Sequence, residues 1–384
     1  MIKNIPLVIQ AIWSTGFNLV SRILPSFFAT VASATQISLI YSIYAIAHLL
    51  AIPCGWVSDK IGKVKTLFLV FLILPFLTIS FLVSKSVFFF ALMFFLVGIL
   101  GNFYYSSINA VITIFFNRKK TEYLFKLESM YQLGAVLGPI IGGFLTLRYG
   151  IDKAFYTWAG LSVLGLILSS FLFKKEPPET KKIEKPSLKQ LFSQLGEKKF
   201  DFIIFLIAGS FLTGLFESML TLSLPLYITK IGFDISKVGL ILGIGSLFSI
   251  FGLLFLGRKL EEVNKTYSLL LTTFLAGISC FVLIFVHSLI GIILLLGIFT
   301  IGRAGGLNIT RFFVSENLGE NIRATGMSVS DTTQYIARVV GPLFAGILID
   351  KINIQTSFIS ISAIAALGII LLIFYNRFAR IKYA

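Results

Sequence analysis

The sequence predicts an all-α integral membrane protein, with twelve transmembrane helices in two pseudo-symmetric six-helix bundles. Three observations carry that prediction. First, of 384 residues 57% are hydrophobic and only 13% charged, with a mean hydropathy of +0.93. A soluble protein is about a quarter charged, and 40 Phe are the opposite of a disordered composition. Second, long windows carry no charge, among them 66–84, 86–117, 154–173, 266–302 (His287 aside) and 352–376. A hydrocarbon core of roughly 30 Å needs about 20 such residues per helix. Third, Lys and Arg cluster between these windows. A transmembrane barrel would show segments of about ten residues with alternating polarity, and these windows do not alternate.

The spans follow in order. The first, 5–29, carries Ser14, Asn18 and Arg22 on one face at four-residue spacing. Lys3 and Ala32-Ser33-Ala34 imitate a cleaved leader, but the apolar stretch is long for one. The second, 36–57, lines up Tyr41, Tyr44 and His48. The third is 66–84. The fourth, 87–116, aligns Asn102, Asn109 and Thr113. The fifth, 122–147, holds Glu128 and a glycine run, and the sixth is 154–173. A polar stretch with Pro177, Pro178, Pro186 and eight lysines then reads as a mobile linker. The seventh, 201–229, puts Ser210, Glu217 and Thr221 on one face, with Gly214 beside it. The eighth to twelfth are 238–256, 267–286, 289–311 (with Arg303), 322–349 (with Asp331 and Arg338) and 353–376.

Charge placement orients the chain. With both termini inside, 24 of the Lys and Arg fall on the inner side and 6 on the outer. The chain is therefore expected in the cell membrane with cytoplasmic termini. The net charge of +16 then faces anionic lipid headgroups and not nucleic acid. Cys54 and Cys280 fall within spans, so no disulfide framework is implied. The sequence shows no nucleotide-binding loop, no metal cluster and no soluble catalytic domain. No cofactor and no enzymatic reaction are expected.

The two halves repeat. Leu24-Pro25 returns as Leu224-Pro225, an offset of 200. The loop after the second span, Gly55 to Lys63, returns after the eighth as Gly257 to Lys265, an offset of 202. Gly134-x3-Gly138-Pro139-x2-Gly142-Gly143 returns as Ala337-x3-Gly341-Pro342-x2-Ala345-Gly346, an offset of 203. The expected organisation is a six-helix bundle at 1–173, a cytoplasmic basic linker at 174–200 and a second bundle at 201–384. The halves would be related by an axis along the membrane normal, with the solute path between them.

At these residues the sequence resembles the major facilitator superfamily across its whole length. Gly55-x3-Asp59-Lys60-x-Gly62-Lys63-x-Lys65 resembles the family's loop signature between spans two and three. The fifth-span run resembles the signature of antiporters, notably drug–proton exchangers. It departs from that signature at Phe125, where an early glycine would fall, and the arginine of the drug exporters' fourth span is missing from Met93 to Gly101. The resemblance implies a cytoplasmic gate at Gly55, Asp59, Lys60, Gly62 and Lys63. It also implies a central cavity lined by the first, fourth, seventh and tenth spans. Physically, Gly62 suits a left-handed turn. Gly134, Gly138, Pro139, Gly142, Gly143, Gly341, Pro342 and Gly346 suit close helix packing, a proline-loosened hinge, or both.

Ionisable groups at bilayer depth are functional candidates by default. Glu217 leads as a proton-coupling group, with His48, Glu128 and Asp331 behind it. Pairing with Arg22 would instead make Glu217 part of an outer gate. Glu128 and Asp331 sit at the 203 offset, so Arg303 or Arg338 are their expected partners. Packing or helix register is the plain alternative for each. Cavity candidates are Asn18, Arg22, Tyr41, Tyr44, Asn102, Asn109, Glu217 and Arg303. The expected function is secondary active transport of a small molecule by alternating access, as a proton-coupled exporter of amphiphilic or drug-like compounds working as a monomer. Two alternatives remain: an importer or exchanger of an anionic metabolite, or a non-transporting sensor or scaffold.

Overall fold

The structure, a computed structural model, describes residues 4–116, 120–172, 188–262 and 264–383. Among these it contains helices and no strand. The first span is α1 (Ile5–Ser21) with α2 (Leu24–Phe28), and the second is α3 (Ala34–His48) with α4 (Ala51–Ile61). Then come α5 (Lys63–Ser80), α6 (Val87–Phe115), α7 (Lys120–Tyr149) and α8 (Ile151–Ser170). A short α9 (Leu188–Leu195) turns through Gly196–Lys198 into the seventh span. That span is α10 (Lys199–Phe205), a π-helical turn (Leu206–Phe211) and α11 (Leu212–Lys230). The last five are α12 (Ile235–Glu262), α13 (Lys265–Leu283), α14 (Leu289–Asn317), α15 (Glu320–Lys351) and α16 (Ile354–Tyr383). Among the described residues ten helices are long and apolar enough to span a bilayer. The bent pair of the second span adds an eleventh, and Ile235–Ile250 is a shorter apolar helix where the eighth is expected.

Helix pairing repeats between the halves. α1 packs on α7, and the π turn of the seventh span packs on α15. α5 packs on α6 and α8, as α13 does on α14 and α16. The protein is thus a twelve-span, all-α membrane protein with two pseudo-symmetric six-helix bundles. By contacts the chain forms two compact units. One is Met1–Thr180 with Leu224–Leu247, the other Lys181–Ser223 with Phe248–Ala384.

Three spans depart from a regular helix, two of them at prolines. A proline cannot donate to the carbonyl four residues back and its ring crowds it. Pro25 therefore frees the Ser21 carbonyl, where α1 ends, and the Tyr41 hydroxyl donates to that oxygen at 2.6 Å. Pro53 likewise frees Leu49, and the second span bends by 52° between His48 and Ala51. In the seventh span the Phe205 carbonyl, at the edge of the π turn, accepts from the Thr310 hydroxyl at 3.0 Å.

The loops are capped as their residues suggest. Ser33 and Gln36 form a reciprocal capping box at the start of α3. Asp234 accepts from the Lys237 amide at 2.9 Å before α12. Burial raises the pKa of its carboxyl, but the amide, the ammonium and the charge of Lys237 together outweigh that and leave it below the usual range.

The linker differs from expectation where it is described; residues 173–187 lie outside the described set. From Leu188 on the chain is not loose. Leu191 and Leu195, one turn apart on α9, are buried with Phe202, Phe313, Val314 and Leu318. Lys198 donates to Asn317 Oδ1 at 2.7 Å. A lysine-rich composition hid two apolar anchors.

Candidate functional site

In the second unit, glycines bring three charged helices together. Gly214 on α11 lies against α15: a Cβ there would sit 2.8 Å from both the side chain and the carbonyl of Gln334. Gly302 lies flush on α13, where a Cβ would meet the Thr272 carbonyl at 2.6 Å. Gly306 on α14 lies against α11, where a Cβ would meet Thr213 Oγ1 at 2.8 Å. Glu217, one turn beyond Gly214, and Arg303, one turn before Gly306, are thereby held close. Arg303 Nη1 is 3.1 Å from Glu217 Oε1, and Arg338 Nη2 donates to Oε2 at 2.7 Å. The Glu217 side chain is 15% exposed and Arg303 17%. Each carboxylate oxygen meets a different arginine from a different helix. The trio carries one net positive charge.

The surroundings are polar but neutral. Ser210 and Ser330 share a hydrogen bond at 2.7 Å on the same α11–α15 seam. Gln334, buried and one turn before Arg338, has no acceptor for its amide nitrogen. Tyr335 lies beside Arg338, 5.5 Å from guanidinium to ring. A small recess of about 10 Å³, room for about one water, opens beside Arg303, lined by Thr213, Thr272, Thr273, Phe216 and Phe299.

The partners of Arg303 and Arg338 correct the sequence reading. They meet Glu217, not Glu128 or Asp331. Asp331 pairs with Arg311 at 3.2 Å, and both are about half exposed. Glu128 is exposed and accepts from Gln132 at 2.9 Å. The shared offset of the two acids thus reflects the repeat and not a shared partner. Arg311, Gln334 and the π turn were not singled out from sequence. Arg311 stands eight residues after Arg303, about two turns on in the same helix, and that spacing was the available signal.

In the first unit the other candidates are hydrogen-bonded to uncharged partners. Arg22 Nε donates to Asn18 Oδ1 at 3.2 Å, and the Asn18 amide donates to the Ser14 carbonyl at 2.8 Å. Asn102 donates to the Ala47 carbonyl at 2.7 Å, just before the bend of the second span. Its Oδ1 is therefore the acceptor at 2.8 Å from His48 Nδ1, which places a proton on that nitrogen. Tyr44 meets the His48 ring edge-on at 4.7 Å. Asn109 is exposed on α6.

The expected gate loop is a short turn. Gly62 takes φ 99° between α4 and α5, a region that favours glycine. Asp59 pairs with Lys63 at 2.6 Å, and Lys63 also donates to Ser58 at 3.3 Å. Lys60 is exposed, and Gly55 has open space around it.

The fifth-span glycines are packing positions on two faces. A Cβ at Gly134 would lie 2.5 Å from Ser14 Cβ, one at Gly138 2.6 Å from Asn18 Cβ, and one at Gly142 would run into the Leu19 carbonyl. On the other face Gly143 meets the Ile235 carbonyl at 2.7 Å and Gly239 meets Pro139. In the repeat, Gly341 lies against Ser218, and Pro342 and Gly346 are buried. Both α7 and α15 run unbroken through their prolines.

A membrane carrier of small molecules is the class that this fold and an internal charge cluster define. The family description Major Facilitator Superfamily matches residues 7–342 and again 264–382. The chain belongs to that superfamily, whose members are transporters and not enzymes. Multidrug resistance protein MdtG of Klebsiella pneumoniae (strain 342) is 26% identical over 319 residues, 79% of this chain and 75% of that protein. MdtG of Escherichia coli (strain SMS-3-5 / SECEC) is 28% identical over 260 residues, 65% of this chain and 61% of that relative, less than two thirds of its length. Among solved structures, an inward-facing, occupied bacterial homolog to the human lysosomal transporter Spinster matches with TM-score 0.78 and 13% identity, covering 98% and 96% of the two chains. A POT family transporter in complex with 5-aminolevulinic acid matches with TM-score 0.78 and 16% identity, covering 97% and 95%. At these identities the solved structures show the fold alone.

Proposed function

We propose that this transporter is a proton-coupled exporter of small amphiphilic compounds. The observation that carries the reading is Glu217, largely shielded from solvent and held by arginines from two other helices. One proton on Glu217 removes the charge that both guanidiniums meet, so a single protonation loosens α11, α14 and α15 together. That is the link a coupled carrier needs between proton and conformation. Export is supported by relatives named for multidrug resistance and by the resemblance of the fifth span to antiporters.

In this reading the halves 1–173 and 201–384 rock about the site, the 174–200 segment connects them, and the Asp59–Lys63 turn serves the cytoplasmic gate. Asn18, Arg22, Tyr41, Tyr44, Asn102 and Asn109 contribute from the first half, and His48, Glu128 and Asp331 are lesser proton sites. The protein works as a monomer in the cell membrane with cytoplasmic termini.

The experiment is proton movement in proteoliposomes holding a lumenal pH dye. Cationic, neutral and anionic amphiphiles are added to wild type and to Glu217→Gln. Proton flux that is evoked by a compound and lost in the variant is the expected result. Unchanged flux in the variant removes Glu217 from the coupling.

A second reading, an importer or exchanger of an anionic solute, is favoured by one observation. The cluster holds two guanidiniums against one carboxylate, which repels cations and attracts anions.

A further inference from the structure

We propose that Gln334 is the positioning residue that receives Glu217 once it takes up its proton. The acid O–H donates to the Gln334 amide oxygen, and the Gln334 amide N–H donates to the acid carbonyl. The inference rests on the proton-coupling reading of Glu217 and says where the loaded carboxyl goes.

Donor and acceptor chemistry leads there. The ionised carboxylate only accepts, and the two guanidiniums that meet it only donate, so the trio is matched. A proton on Glu217 turns one oxygen into a donor. Neither Arg303 nor Arg338 can accept from it, because guanidinium has no acceptor. A shielded O–H without an acceptor is unfavourable, so the neutral carboxyl turns towards another group.

The α11–α15 seam supplies that group. Its contacts run in rungs. Ser210 meets Ser330 at 2.7 Å, Gln334 lies over Gly214, and Ser218 donates to the Ala337 carbonyl at 3.5 Å, next to the Arg338–Glu217 contact. Gln334 is thus the rung beside Glu217. The missing Cβ of Gly214 makes room for it, since that atom would sit 2.8 Å from Gln334 Cγ. Gly214 and Glu217 are three residues apart on α11, and Gln334 and Arg338 four apart on α15, so each pair shares a face. Gln334 is 5% exposed and its amide nitrogen has no acceptor. A side-chain amide offers one oxygen that accepts and one nitrogen that donates. A protonated carboxyl offers the matching pair, whereas an ionised one cannot donate. The amide left unmet beside the carboxylate is the complement of the acid.

Gln334 therefore favours the protonated form of Glu217. Its contribution is present at low pH and is lost as pH rises. Among the described residues Arg303 on α14 and Arg338 on α15 form ion pairs with Glu217, and Tyr335 lies beside Arg338. Asp331, one turn before Gln334, pairs with Arg311, and α13 brings the uncharged Thr272 and Thr273 to the Arg303 side.

The test is thermal unfolding of the purified full chain in detergent, at acid and at alkaline pH. The variants are Gln334→Leu, Glu217→Gln and the two combined. Gln334→Leu should lower Tm at acid pH, where the pair is made. At alkaline pH it removes an amide without an acceptor and should leave Tm unchanged or raise it. Glu217→Gln keeps a donor and an acceptor and imitates the protonated acid, so in its background Gln334→Leu should lower Tm equally at both. In proteoliposomes the proton concentration that half-saturates evoked flux should rise about tenfold in Gln334→Leu, the worth of one hydrogen bond of ordinary strength. The same Tm change at both pH values with Glu217 present would mean that Gln334 only packs. A pH-dependent change that survives in Glu217→Gln would belong to another group. Either result overturns the inference. Should Gln334→Leu not fold, Gln334→Met replaces it, and infrared difference spectra give a second readout. The carbonyl stretch of a protonated carboxyl that is absent from Glu217→Gln should move to higher frequency without the amide; an unmoved band overturns the pair. If flux depends on Glu217 and its pH profile is the same without the amide, the inference fails and the coupling reading stands. If the Tm reversal and the band shift appear while no compound evokes flux, the pair stands and the export reading fails.

Discussion

Single hydrogen bonds here repair what particular side chains disturb. Tyr41 satisfies the Ser21 carbonyl that Pro25 releases. Tyr41→Phe removes that donor and keeps the ring, leaving a buried acceptor unmet at a cost of about 1–3 kcal/mol. We expect a lower Tm with the fold retained, read by thermal unfolding in detergent; an unchanged Tm would mean that another donor reaches Ser21. At this scale the charges within spans were legible in sequence, because a charge in an apolar window stands out however the chain folds. Glu217, Arg303 and Arg338 were all visible. Their mutual pairing was not, since it joins residues 86 and 121 positions apart through interhelical packing. The 203-residue symmetry of Glu128 and Asp331 pointed to the wrong arginines because a repeat preserves position, not partner.

Elements obey the glycine and proline positions more than their hydrophobicity. The stripe Gly134, Gly138 and Gly142 presses α7 backbone to α1 backbone. Gly142→Ala should therefore collapse the yield of folded protein, because its methyl would enter the Leu19 main chain. Gly160→Ala, on an exposed position of α8 with nothing around it, should be neutral or stabilising by up to about 1 kcal/mol. Equal tolerance of both, by size-exclusion profile and Tm, would mean that α1 and α7 can separate. Four-residue spacing made this stripe readable in advance. The bend after His48 was also readable, from Pro53, but a hydropathy window averages over it. The π turn left no sequence signal; the contact at its edge, Thr310 to the Phe205 carbonyl, joins residues far apart in the chain.

At the scale of the whole molecule, the span count and the repeated pairing of helices follow from two sequence properties, charge-free windows and a near-constant offset. Both are one-dimensional and survive folding unchanged. What stayed hidden depends on which faces meet. The segment 188–200 was assigned to a loose connection on composition, yet Leu191 and Leu195 tie it to α14 and the seventh span in the second unit.

The excess charge of the arginine–glutamate trio also has an electrical side. A proton on Glu217 raises the site from +1 to +2, so the protonated and unprotonated passages of an exchange cycle differ by one elementary charge. One elementary charge crossing the full membrane field is worth about 2.3 kcal/mol per 100 mV. Exchange of a proton for a neutral compound should then respond to membrane potential, whereas exchange of a proton for a monovalent cation should not. Potassium-gradient clamping of proteoliposomes separates the two, and equal sensitivity of both would show that the proton does not ride on the trio. The field would then act hardest on the passage that carries the proton.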